Sequence, residues 1–77
     1  MSVRRDVVNQ ALESFLSLTA VLSELNEEEV LACLDLEAAS LRRQSVIDRL
    51  ISRAVRIREL AYSDSLKERY LWQSPNS

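Results

Sequence analysis

Residues 38–51, Ala38-Ala39-Ser40-Leu41-Arg42-Arg43-Gln44-Ser45-Val46-Ile47-Asp48-Arg49-Leu50-Ile51, decide the fold. No Gly or Pro interrupts this stretch, so a helix entering it could run straight through. The phase of the apolar stripe argues otherwise. At about 100° per residue, Val30, Leu34 and Ala38 point one way, while Ile47, Leu50, Ile51 and Ala54 on the same uninterrupted helix would point well over 90° away. One straight helix could not bury both sets against one neighbour. Ser45-Val46-Ile47-Asp48 reads as a helix start, hydroxyl first and acid three residues later. Arg42 and Arg43 then follow the preceding helix, where positive charge suits the end of the macrodipole. The reading is a short turn within 40–45, with a bent continuous helix as the alternative.

Upstream, Asn26 has Glu29 three residues on, a capping box with Asn in place of Ser or Thr, which starts a helix over about 27–40. Its inward residues are Val30, Leu34, Ala38 and Leu41. Before it, Val7, Val8, Ala11, Phe15, Leu18, Leu22 and Leu25 recur at helical spacing and predict a first helix over about 3–23. Downstream, a helix over about 46–71 presents Ile47, Leu50, Ile51, Ala54, Ile57 and Ala61 inward, flanked by Val46, Val55 and Tyr62. Its length of about 38 Å exceeds what the first two helices can cover.

These elements predict an all-α domain over 1–72, a three-helix bundle or helical hairpin with a long third helix, followed by a flexible polar tail at 73–77. At 77 residues a single core is small, and a second copy is the cheapest cover for the excess helix, so a homodimer is expected. Charges interrupt every apolar stretch, so neither a membrane span nor a secretory signal is expected and the chain reads as cytoplasmic.

Composition excludes most chemistry. The chain has no His, and with it goes the side chain best suited to proton transfer near neutral pH and the commonest metal ligand. It has no Gly, so a phosphate-cradling loop or a dinucleotide fingerprint cannot be written. The single Cys33 lies in the apolar pattern Val30, Leu31, Cys33, Leu34 and reads as a small buried hydrophobe. No catalytic, metal-binding or cofactor-binding residues are assigned, and the chain is read as a non-enzyme.

Charge is divided between the halves. Residues 1–40 hold two arginines against eight acidic residues, a net −6, and residues 41–77 hold eight basic residues against four acidic ones, a net +4. Such halves can neutralise one another in the fold, across a dimer or against a partner. Arg49, Arg53 and Arg56, at +4 and +3, share one helix face and could dock phosphates or an acidic protein surface. The favoured reading is structural: a solvated face whose arginines pair with Glu27, Glu28, Glu29 or Asp35 inside the bundle or across a dimer. A net charge of −2 and the lack of interleaved aromatics weigh against nucleic acid. Arg69, Tyr70 and Trp72 form a second candidate, an interface anchor, or else a cluster that folds back on the first helix or closes the dimer.

The run Leu25-Asn26-Glu27-Glu28-Glu29-Val30-Leu31, with Leu36-Glu37, Arg42-Arg43, Ser45-Val46-Ile47 and Arg49-Leu50, resembles small all-helical accessory proteins of tailed bacteriophages over residues 25–60. That resemblance implies a protein made during infection, acting in the host cytoplasm by docking to a host or virion protein. It transfers no residue-level role. The leading expectation is thus a non-enzymatic protein-binding module, and the alternative is a nucleic-acid-associated protein using the arginine row.

Overall fold

In a computed structural model, residues 3–71 are described. They are all-α, with four α-helices, α1 (Arg5–Ala11), α2 (Phe15–Val21), α3 (Glu27–Ala39) and α4 (Gln44–Tyr70), a 3-10 turn at Leu22–Glu24, and no strand among them. The Trp72 candidate and the expected tail at 73–77 lie outside the described residues.

The expected first helix over 3–23 is two helices. Ser14 adopts extended backbone, and its hydroxyl accepts from the Ser17 N–H at 3.0 Å, so a new helix starts where the apolar stripe suggested continuity. The break swings Phe15 outward. Expected at the centre of its face, it is 43 % exposed as the first residue of α2, while Val8, Ala11, Leu18, Leu22 and Leu25 fill the core.

α3 begins at the expected capping box: Asn26 Oδ1 accepts from the Glu29 N–H at 2.8 Å, and Glu29 Oε1 accepts from the Asn26 N–H at 3.0 Å. Its inward face, however, differs from the one expected. Glu29, Val30, Cys33 and Glu37 are buried, Leu34 is half-buried, and Ala38 and Leu41 are exposed. Two carboxylates on a buried face need strong partners, because an unpaired buried charge is costly.

Both find the same kind of partner. Arg4 donates to Glu29 from its backbone N–H at 2.9 Å, Nε at 2.7 Å and Nη2 at 2.9 Å, and Nη2 also reaches the Glu24 carbonyl. Arg43 donates to Glu37 from its backbone N–H, Nε and Nη2, each at 2.8 Å, and Nη2 also reaches the Leu12 carbonyl at 2.7 Å. Arg4 is the N-cap of α1 and Arg43 the N-cap of α4. One device is thus used twice. A bidentate arginine at a helix start grips a glutamate of α3, and the glutamates lie eight residues apart on one face. Hydrogen bonds from the Arg4 side chain, then from the Asn26 and Arg4 N–H groups, hold the Glu29 carboxyl down at about 2. The Arg43 side chain lowers Glu37 in the same way.

The chain breaks between Ala39 and Gln44, within the stretch that the stripe phase singled out. The Arg42 N–H closes on the Glu37 carbonyl at 2.8 Å, and Arg42 takes φ 51°, a left-handed turn made without glycine. Ser45 is not the cap of α4. The helix starts one residue before it, and Gln44 bonds Asp48 at 2.9 Å instead. Val46, expected on the flank, is core beside Leu50, whereas Ile51 and Ala61 are exposed.

α4 has 27 residues, about 40 Å of helix, and only Val46 and Leu50 on it are fully buried. It lies mainly against α3. Beyond Ile57 it buries no residue fully, and the molecule measures 54 × 23 × 20 Å with a radius of gyration of 15.7 Å, against about 11 Å for a compact chain of this size. No helix among the described residues is long and apolar enough to cross a membrane.

Candidate functional site

The long helix presents two opposed flanks on either side of its buried line. At about 100° per residue from Leu50, Arg49, Arg53, Arg56 and Lys67 share one flank, and Ile51, Val55 and Tyr62 share the other. The three arginines expected in a row are therefore together. Arg42 is not part of the row, because α4 starts at Gln44.

On the basic flank, Arg49, Arg53 and Arg56 line a small cleft of about 160 Å³ with Leu22 and Ser52. Arg53 reaches from α4 to the 3-10 turn, where its Nη2 donates to the Ser23 carbonyl at 3.3 Å. Its Nε is buried without a hydrogen-bond partner. Arg49 makes no hydrogen bond or ion pair with any described residue. Arg56 faces Glu59 at 3.5 Å, with both side chains 61 % exposed, a surface pair of little strength.

The row was expected to pair with Glu27, Glu28, Glu29 or Asp35 inside the bundle or across a dimer. Within the described residues Glu29 pairs with Arg4, and Glu27 with Arg58, a residue outside the row. Two pairs that join the halves among the described residues, Arg43–Glu37 and Arg58–Glu27, by themselves leave −4 on residues 1–40 and +2 on residues 41–77. The charge division is therefore only partly neutralised by these pairs.

On the opposite flank, Leu31 of α3 and Ala54, Val55 and Tyr62 of α4 line an apolar groove, with the Arg58–Glu27 pair at its rim. Tyr62 is 68 % exposed. Sequence reasoning placed Val55 and Tyr62 beside the core and did not mark them as a surface. Their spacing, +4 from Ile51 and then +7, carried that signal. Arg69 and Tyr70 stand at the far end of α4, about 20 Å along the helix from Arg56, so the row and the C-terminal cluster form separate features.

Cys33 is fully buried, and burial, with the nearby Glu29 charge, pushes its thiol up to about 11. At neutral pH it is a protonated hydrophobe. Among the described residues no group of Cys, Asp and Glu side chains is arranged to hold a metal ion. No family model matches the chain, and no curated protein or solved structure matches it either.

Proposed function

We propose that this is a non-enzymatic helical binding protein, built as a small bundle with a protruding last helix, that docks a protein partner through the uncovered half of α4. The observation that carries this reading is the set of exposed apolar side chains, Leu60, Tyr62 and Tyr70 on α4 and Leu71 at its C-cap, in a half of the helix that buries no residue fully. Tyr and Arg are enriched among residues that dominate interface energies, and Arg69 and Tyr70 lie together there. A composition without His and a single cysteine held as a buried thiol favour binding over catalysis. The resemblance of residues 25–60 to phage accessory proteins favours a docking role on a host or virion protein in the host cytoplasm.

A homodimer is the simplest assembly in which the bare half of α4 is covered. Sedimentation from low to high micromolar concentration tests it. A mass rising to twice the monomer supports self-docking, and a constant monomer mass leaves the surface for a different protein, to be sought by pull-down from the source or infected cell.

The second reading, a nucleic-acid-associated protein, is favoured by the three arginines of the cleft. Salt separates the two. Nucleic-acid affinity falls steeply with added salt through counterion release, whereas docking of Tyr and Leu side chains is far less sensitive.

A further inference from the structure

The arginine cleft has features that neither a solvated face nor a neutralised one has. Arg49, Arg53 and Arg56 line one cleft of about 160 Å³ with Leu22 and Ser52. Positions 49, 53 and 56 lie within two turns, so their like charges repel one another. The only carboxylate paired with any of them among the described residues is Glu59, on the solvent side of Arg56. The Nε–H of Arg53 is buried and donates to nothing, while its Nη2 holds the side chain in place through the Ser23 carbonyl. Three arginines around one cleft, with a single weak carboxylate partner among them, are a donor set for a compact oxyanion, because guanidinium groups present paired N–H bonds that match phosphate geometry.

We propose that the Arg49–Ser52–Arg53–Arg56 cleft binds a phosphate monoester or inorganic phosphate dianion. The size of the cleft favours a single terminal group over a polymer backbone. The arginines line one small cleft, and a dianion offsets three cations better than a singly charged diester. Arg53 is the central ligand, tethered and half-buried, Arg49 and Arg56 close on the anion from either side, and Ser52 donates its hydroxyl. This site is separate from the uncovered half of α4 and stands or falls independently of the protein-docking reading.

The test is a titration of the ¹⁵N-labelled protein with inorganic phosphate and, in parallel, with O-phosphoserine, at constant ionic strength held with sodium chloride. Saturable shifts are expected at the Arg53 Nε–H and at the Ser23 and Ser52 amides. Arg53→Gln and Arg49→Gln should each weaken binding about tenfold, as expected for the loss of one charge-assisted contact. Arg49→Gln is the safer variant for folding, since Arg49 bonds to no described residue. Tighter binding of phosphoserine assigns the cleft to a phosphorylated protein, and equal binding assigns it to free phosphate. Shifts that merely match those of added chloride overturn the proposal, as do saturable shifts unchanged in both variants. Binding of a duplex without terminal phosphates, with inorganic phosphate inert, also overturns it and gives the row to nucleic acid.

Discussion

The two halves of α4 are one continuous helix, yet they live in different environments. The first half, from Gln44 to Ile57, starts on the Arg43–Glu37 clamp and sends Val46 and Leu50 into the core, with Ala54 and Ile57 packed against it. The second half, from Arg58 to Tyr70, contributes no fully buried residue and leaves Leu60, Tyr62 and Tyr70 in solvent. Helix propensity alone holds a segment of that length only marginally in water, so the second half depends on continuity with the first. The difference separates what the chain needs in order to fold from what it displays.

Leucine truncation should break or sharpen this contrast with the largest effect. Leu50→Ala is expected to cost about 2–5 kcal/mol, as for a buried leucine whose site cannot fully collapse. Leu60→Ala is expected to cost within about 0.5 kcal/mol, typical of surface sites. Chemical denaturation of both variants checks this, and equal losses would erase the division of α4. Phe15→Ala belongs near the lower value, given its exposure after the Ser14 cap.

The clamps come next. Removing the charge of Glu37 leaves Arg43 gripping a neutral amide in a buried position, and the Tm of Glu37→Gln should fall by about 10 °C. Glu29→Gln should lose less, because Arg4 is 49 % exposed where Arg43 is 29 % exposed, and water screens the first clamp more. Thermal melts of the two variants rank them. The reverse order would show that exposure of the arginine does not set the strength of the clamp.

The same carboxylates set a pH dependence. Both ionise more readily in the folded chain than in the unfolded one, so their stabilisation is complete above the ordinary glutamate value of 4.5 and is lost as pH falls toward about 2, the folded value for Glu29. The Tm should therefore drop across that window, and the drop should shrink in the Glu29→Gln and Glu37→Gln double variant. A drop of unchanged size would place the acid sensitivity elsewhere.

How much of this was legible in the sequence depended on range. The capping box at Asn26 and Glu29 and the break before Gln44 involve residues a few positions apart, and periodicity and cap chemistry expose them. The break at Ser14 was hidden because apolar spacing continues across it, so Phe15 looked central until the Ser14 hydroxyl turned the chain. The buried glutamates were hidden for a different reason. A carboxylate on a core face reads as an error unless its arginine is known, and Arg4 is 25 residues from Glu29. The arginine row was visible as spacing, but Leu22 and Ser23, which make it a cleft, come from another element.

The smallest effect concerns the turn between α3 and α4. Arg42 is left-handed, a conformation that Asn tolerates better than Arg, and its side chain adds only an exposed bond to the Ala38 carbonyl at 3.2 Å. Arg42→Asn should raise Tm by about 2–4 °C. A fall would mean that the bond to Ala38 outweighs the backbone strain.

Residue-resolved amide hydrogen exchange along α4, at the lowest workable concentration, tests the division of the helix most directly. The account predicts strong protection from Asp48 to Ile57, close to that of global unfolding, and exchange faster by orders of magnitude from Leu60 to Tyr70, with that second half gaining protection when a partner or a second copy binds. Uniform protection along the whole helix in the dilute, unpartnered protein would contradict it.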